Sequence, residues 1–102
     1  MDINTISDFR KAMRHGPYAW PGGYPVYFIM EDGDCLSFKA ARENRRTLLD
    51  AIAEWRDNPR VRSGWRPVAL EINYEDDLTC CHTGEQIESA YGVEPVADAD
   101  RA

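Results

Sequence analysis

Residues 26–39 read VYFIMEDGDCLSFK, which has the composition of a β-hairpin. The first five residues are β-branched, aromatic or otherwise apolar, and they favour a strand. Asp32-Gly33 then supplies the positive φ of a tight turn. Residues 35–39 alternate, so they predict the returning strand, with Leu36 and Phe38 facing the core. Because a short turn can join only antiparallel strands, the sheet is predicted to be antiparallel.

Two helices are predicted outside this hairpin. Thr5 and Asp8 fit a capping box, and residues 6–15 carry apolar side chains at helical spacing up to the stop signal Gly16-Pro17. Residues 40–57 carry an apolar stripe and end at Asn58-Pro59. Between helix and hairpin, residues 18–25 hold two prolines and two glycines, which favour an irregular loop.

A further strand is predicted over residues 65–74, and it alternates along its length. Residues 78–92 are ambiguous, since Thr83-Gly84 favours a turn while Ile87 and Tyr91 have helical spacing. The order is α-β-β-α-β followed by a short C-terminal unit, so the fold class is α+β, with a small antiparallel sheet of three or four strands and two helices on one face. The predicted core comprises Phe9, Phe28, Leu36, Leu48, Ile52, Leu70 and Ile72.

The 102 residues predict one globular domain over residues 1–93 and a polar, flexible tail over residues 94–102. With 43% hydrophobic residues the chain can close a small core, which excludes wholesale disorder. The apolar runs are too short for a transmembrane helix, and Asp2 and Asp8 argue against a signal peptide. The three cysteines therefore predict reduced thiols in a cytoplasm, although a bridge from Cys35 to Cys80 or Cys81 stays open.

The net charge of −6 argues against general nucleic-acid binding, which needs a basic surface. Residues 1–65 carry a net charge of +1 and residues 66–102 carry −7, so the acidity belongs to the second part of the chain. A docking surface for a basic partner and a merely solubilising surface are both consistent with this pattern. The predicted partner-binding residues, here called the acidic surface, are Glu71, Glu75, Asp76, Asp77, Glu85, Glu88, Asp32 and Asp34.

Three other groups of residues are candidate functional sites, but each can also be explained by a structural role. Arg42, Arg45 and Arg46 form a candidate phosphate-binding edge, but the interleaved Glu43 and Asp50 favour a solvated helix face. Three aromatic residues of the loop either pack over the core or form an exposed site that binds a partner. They are Tyr18, Trp20 and Tyr24. Cys81-His82 lacks an orienting third group, so no catalytic residue is assigned and the chain is predicted not to be an enzyme.

Several segments together resemble a family of small proteins found in bacteriophages and prophages. They are the loop sequence GPYAWPGGYP at 16–25, the strand and Asp-Gly turn, Phe38 with Arg42-Glu43-Asn44, INYED at 72–76 and HTGEQIESAY at 82–91. The resemblance covers residues 16–92. It implies a zinc-ribbon-like scaffold with two Cys-x-x-Cys pairs, which would fall on Ser37 and Ala40 and on Cys80 and Thr83. Since only Cys80 keeps a thiol, the metal site is predicted to be lost and no cofactor is expected. Residual metal binding by Cys35, Cys80, Cys81 and His82 stays an alternative.

Phage origin and acidic charge together predict an inhibitor of a host nucleic-acid-binding machine, acting in the host cytoplasm. An anti-CRISPR protein that mimics DNA on a surveillance-complex subunit is the sharpest form of this hypothesis. Carboxylates on a rigid strand would then stand where phosphates lie. The alternative is an accessory module, a degenerate zinc ribbon that bridges proteins without inhibiting them.

Overall fold

The computed structural model describes residues 1–19 and 22–90 and has the predicted α+β architecture. Trp20, Tyr91 and the predicted tail lie outside these residues. The elements in chain order are α1 (Ile6–His15), β1 (Tyr18–Ala19), β2 (Tyr24–Met30), β3 (Cys35–Ser37), α2 (Phe38–Glu43), α3 (Arg45–Asp57), β4 (Pro67–Ile72), β5 (Leu78–Thr79) and β6 (Gln86–Ile87).

Strand β2 is the centre of the four-stranded antiparallel sheet and pairs with β1, β3 and β4. Phe28 stands opposite Leu36 on β3 and opposite Leu70 on β4. The free edge of β4 is covered by the first residues of the chain, because the Ile3 amide donates to the Val68 carbonyl at 2.9 Å. The sheet therefore buries one row of apolar side chains across all three of its longer strands.

The local signals at the first helix and the hairpin turn are confirmed. The Thr5 hydroxyl accepts from the Asp8 amide at 3.0 Å, and the Asp8 carboxylate accepts from the Thr5 amide at 3.1 Å, which completes the capping box. Gly33 has a φ of 90°, as the turn between β2 and β3 requires.

The single helix predicted over residues 40–57 is wrong, because the structure has two helices there. The returning strand ends at Ser37, whose hydroxyl accepts from the Ala40 amide and so caps α2 two residues before the predicted end of the strand. At Asn44 the side-chain amide donates to the Ala40 carbonyl at 2.8 Å, and the backbone amide donates to the same oxygen. The Ala40 carbonyl thus accepts two bonds from Asn44, whose φ of −112° and ψ of 26° depart from helical values and separate α2 from α3.

Three finer sequence predictions also need correction. The loop at residues 18–25 contains regular structure, since Tyr18 and Ala19 pair with Pro25 and Tyr24. The strand predicted to reach residue 74 ends at Ile72, so Asn73 is buried while Tyr74 is 49% exposed. The ambiguous C-terminal unit is a small hairpin, β5–β6, whose buried side chains are Cys80 and Ile87.

The predicted core is confirmed at six positions, all of which are buried: Phe9, Phe28, Leu36, Leu48, Ile52 and Leu70. Ile72 is only partly buried and packs against this cluster. The Phe28 ring lies 5.7 Å from the Phe9 ring and 5.8 Å from the Phe38 ring, so it joins the sheet to α1 and α2. Within the described residues, no helix is both long and apolar enough to cross a bilayer.

A polar clamp joins α3 to the sheet. The Arg66 guanidinium lies 4.0 Å from the centre of the Trp55 ring, and its Nε donates to the Glu31 carboxylate at 3.2 Å. Both charged side chains are largely buried, with 12% and 3% exposed. Because removal of one partner would leave the other charge buried and unpaired, the pair fixes how α3 sits on the sheet.

Truncation of Leu70 should test the sheet and its facing. We expect Leu70→Ala to lower the free energy of unfolding by ~2–5 kcal/mol, because it opens a cavity against Phe28. Val68→Ala, on the same strand but half-buried, should cost less. Urea unfolding followed by circular dichroism measures both. A loss well under ~1 kcal/mol for Leu70→Ala would contradict the assigned facing, and equal losses for the two variants would contradict the deeper burial of Leu70.

Candidate functional site

Charge is divided between the helices and the rest of the molecule. Helices α1, α2 and α3 together carry a net charge of +3, whereas the other described residues carry −7. All eight residues of the acidic surface are exposed, and all lie outside the helices. Along the sequence, an acidic second part follows a nearly neutral first part. In the fold, the excess of positive charge lies on the helices and the excess of negative charge lies outside them.

Asn73 holds one end of the acidic surface in place. Its side-chain amide donates to the backbone carbonyls of Asp76 and Glu88, both at 3.1 Å. Its side-chain oxygen accepts from the Asp76 amide at 3.0 Å. With only 1% of its surface exposed, Asn73 has its polar atoms satisfied by these bonds. The loop after β4 and the end of β6 are thereby tied to a single buried side chain.

Two further contacts bring the carboxylates at this end together. The Gln86 side chain donates to the Asp77 carboxylate at 3.0 Å, across the β5–β6 pair. The Tyr18 hydroxyl donates to the Glu88 carboxylate at 2.9 Å, and this bond raises the pKa of Tyr18. Burial raises the pKa of Tyr27, and the nearby thiol of Cys35 and carboxylates of Glu71 and Asp76 raise it further. These bonds hold Asp76, Asp77 and Glu88, and we count them with the nearby Glu71 and the adjacent Glu75 as the first acidic group.

The second acidic group consists of the remaining residues of the acidic surface. Asp32 and Asp34 lie at the turn between β2 and β3, and Glu85 lies at the turn of the β5–β6 hairpin. Asp32 accepts from the Asp34 amide at 3.1 Å. Burial raises the pKa of the Cys81 thiol, and the charges of Cys80, Asp34 and Asp32 add to this shift. Cys81 opens the turn of the β5–β6 hairpin, and Glu85 closes it. The C-terminal hairpin thus runs from one acidic group to the other.

The structure brings together the four positions that the resemblance assigns to two Cys-x-x-Cys pairs. The Ser37 amide donates to the Cys80 sulfur at 3.4 Å, and the Ser37 hydroxyl accepts from the Ala40 amide. Thr83 also donates to the Cys80 sulfur. Burial raises the pKa of the Cys80 thiol, but the donors on Ser37 and Thr83 outweigh burial and lower it from 9.0 to about 7. Hydrogen-bond donors thus surround the one thiol that remains.

The three cysteines are free, which answers the open question of a bridge from Cys35. The Cys81 amide donates to the Cys35 carbonyl at 2.8 Å, so the turn of the C-terminal hairpin packs beside β3. Over residues 1–19 and 22–90, no group of three or more His, Cys, Asp or Glu side chains is placed to hold a metal ion. The His82 ring packs edge-on against Trp65, with 5.3 Å between the ring centres.

The aromatic loop is divided between core and surface. Tyr18 is 39% exposed, whereas Tyr24 is half-buried and its ring lies 5.3 Å from that of Tyr74. The Tyr24 ring also packs closely on Gly22, where a Cβ would collide with it. Glycine is therefore required at position 22 by close approach of the neighbouring ring.

Sequence reasoning missed the residues that position the acidic surface. The sequence places Asn73 within the strand predicted over residues 65–74, whereas in the fold it follows the end of β4, is buried and bonds to two separate segments. The spacing of Asn73 and Asp76 is typical of a side chain that closes a turn, and this was the available signal. The Tyr18–Glu88 bond joins residues 70 positions apart, and no local pattern predicts it.

No family model, curated protein or solved structure matches this chain. Its function is therefore inferred from its own residues and their geometry.

Folding is expected to be independent of metal. Ser37, Ala40 and Thr83 stand where the resemblance implies thiolates, and a structural zinc site with one remaining thiolate cannot supply folding energy. Chelation with EDTA should leave the thermal unfolding midpoint unchanged, and elemental analysis should find far less than one zinc per chain. A stoichiometric zinc, with unfolding on chelation, would overturn this expectation.

The free energy of unfolding should rise between about pH 7 and pH 9 because of Cys80. The folded chain favours the thiolate, so this stabilisation is complete above the ordinary pKa of 9.0 and is lost as the pH falls through about 7. Between pH 6 and pH 8.5 the chain should gain roughly 2 kcal/mol over Cys80→Ser in urea unfolding. Cys81→Ser should keep the rise, because burial raises the pKa of Cys81 and moves its effect above this range. A parallel pH profile for the chain and Cys80→Ser would show that the thiolate is not favoured.

Proposed function

We propose that this chain is a small phage-encoded binding protein that inhibits a host nucleic-acid-binding machine by occupying its basic DNA- or RNA-binding surface, as an anti-CRISPR protein does. The observation that carries the proposal is the net charge of −7 on the described residues outside the helices, in exposed carboxylates. A surface that binds phosphates is lined by lysine and arginine. Such a surface attracts an acidic protein by the same electrostatics.

Rigidity supports this proposal. A carboxylate that replaces a phosphate gains most when it is held in place before binding, since ordering a loop costs free energy. Asn73 fixes the backbone at Asp76 and Glu88, and Gln86 and Tyr18 hold the carboxylates of Asp77 and Glu88. Asn73, Gln86 and Tyr18, none of which belongs to the acidic surface, thus hold part of the first acidic group in place before a partner binds.

Inhibition of this kind needs no catalytic residue. His82 packs against Trp65, and its neighbour Cys81 has a raised pKa, which disfavours the thiolate that a nucleophile needs. Within the cytoplasm of the host, the partner would be a protein with a basic nucleic-acid-binding surface, such as a subunit of a CRISPR surveillance complex.

A second candidate function is an accessory module that bridges two proteins without inhibiting either. The proximity of Ser37, Ala40, Cys80 and Thr83 favours it, because the resemblance assigns these four positions to the two Cys-x-x-Cys pairs of a zinc-ribbon-like scaffold. A bridging module would bind its partners whether or not nucleic acid is present. Competition with nucleic acid therefore separates the two functions.

Reversal of two charges should abolish inhibition without unfolding the chain. Asp76→Lys with Asp77→Lys places cations against a basic groove, and like charges at an interface cost several kcal/mol. The contacts of Asp76 with Asn73 use only backbone atoms, so they survive the substitution. Exposed charges contribute little to stability, so the unfolding midpoint should barely change.

The partner is first captured from host lysate on the immobilised chain and identified by mass spectrometry. Competition between the chain and a nucleic acid for that partner is then measured at low and high salt. Glu54→Lys with Asp57→Lys is the matched control, since it changes the net charge equally on α3, outside the acidic surface. The control should compete like the original chain, and the Asp76 and Asp77 variant should not. A folded reversed variant that competes as well as the original would disprove the acidic-surface mechanism and make the aromatic loop the better candidate.

A further inference from the structure

Three arginines converge where α2 ends and α3 begins. Arg42 lies in the last turn of α2, and Arg45 and Arg46 are the first two residues of α3. With Asn44 between the helices, these side chains line a cleft of about 320 Å³, together with Glu43 and Leu49. A continuous helix, as the sequence predicted, would not have this break beneath the cleft.

The cleft carries an excess of positive charge. Three guanidinium groups line it, and Glu43 is the carboxylate among the lining residues. Arg46 pairs with Asp50 at 3.5 Å, but both side chains are mostly exposed, at 89% and 69%. An ion pair this exposed is weak and leaves the guanidinium able to bind an anion.

The position of Arg45 and Arg46 is unfavourable for α3 on its own. Positive charge at a helix N-terminus is opposed by the helix dipole, and the first turn of α3 contains no acidic residue. Asn44 makes no side-chain capping bond to α3, since its amide donates backwards to Ala40. Arg42 lies over the Phe38 ring, with its guanidinium carbon 5.2 Å from the ring centre, and this contact orients it. An anion in the cleft would relieve the repulsion that the chain otherwise bears.

We propose that this arginine cleft binds the phosphate group of a small phosphorylated molecule, such as a nucleotide. Guanidinium groups match the oxygens of a phosphate in a two-point contact, which makes arginine suited to this role. The cleft volume lies at the lower end of the range for small-molecule sites. A long nucleic acid fits less well, because the described residues outside the helices carry −7 and repel a polyanion. This proposal is independent of the acidic surface and its partner.

Titration of the full chain with inorganic phosphate, pyrophosphate, ADP and ATP tests the site. Backbone amide shifts in the ¹⁵N–¹H spectrum, recorded at low salt, report both affinity and location. We expect saturable shifts centred on residues 42–49, with affinity rising from phosphate to pyrophosphate as the charge increases. Adenosine, which lacks phosphate, should give none. ADP, whose diphosphate matches pyrophosphate, separates a nucleotide from free phosphate by any further gain in affinity over pyrophosphate.

Two paired variants decide whether the cleft is the site. Arg42→Gln with Arg45→Gln removes both charges but keeps polar side chains, and it should weaken pyrophosphate binding at least about tenfold. Arg10→Gln with Arg14→Gln removes two exposed arginines from α1, and it should leave the affinity unchanged. Thermal unfolding followed by circular dichroism shows that both variants are folded.

Three outcomes would overturn the proposal. One is an equal loss of affinity in both paired variants, which would mean unspecific screening of charge. Another is shifts spread over the arginines of all three helices. The third is a short DNA duplex that shifts the amides of residues 42–49 at lower concentration than ATP, which would make the cleft a nucleic-acid contact.

Discussion

Burial of Phe28 is the constraint on which the rest of the structure depends. This side chain lies at the centre of the sheet, opposite Leu36 and Leu70, and it is completely buried. Its ring also contacts those of Phe9 and Phe38, so one residue fixes the distance from the sheet to α1 and α2. In so small a domain the core is limited, and these three rings lie within its one cluster of buried residues.

Buried polar contacts fix the positions of α3 and of the C-terminal hairpin relative to the sheet. Glu31 and Arg66 set α3 against the sheet, and Asn73 sets the C-terminal hairpin against the end of β4. Both are largely buried, so their bonds are costly to break. The acidic surface therefore lies on a scaffold that is held from inside, while its carboxylates remain exposed. A surface made this way can present charge without paying for loop ordering on binding.

The helices differ in net charge from the rest of the molecule, and the two regions adjoin where Lys39 and Arg42 line one cavity with Tyr18 and Glu88. The helices have an excess of cations, which includes the arginine cleft, and the sheet ends and C-terminal hairpin have an excess of carboxylates. The cationic region and the acidic region suit partners of opposite charge. A basic protein surface suits the carboxylates, and a phosphate suits the arginines, so the two proposed sites do not compete for one ligand.

The sequence by itself determined the elements whose signals are local. The capping box at Thr5 and the Asp-Gly turn at Gly33 depend on neighbours within a few residues. Most of the core positions could likewise be predicted from the local spacing of apolar residues. It also determined the excess of acid and the identity of the exposed carboxylates. Only the tertiary structure decided where Asn73 points, that Tyr18 reaches Glu88, and that α2 and α3 separate at Asn44 around three arginines. These features depend on packing between distant segments and on single side-chain bonds to the backbone, which periodicity along the chain does not encode.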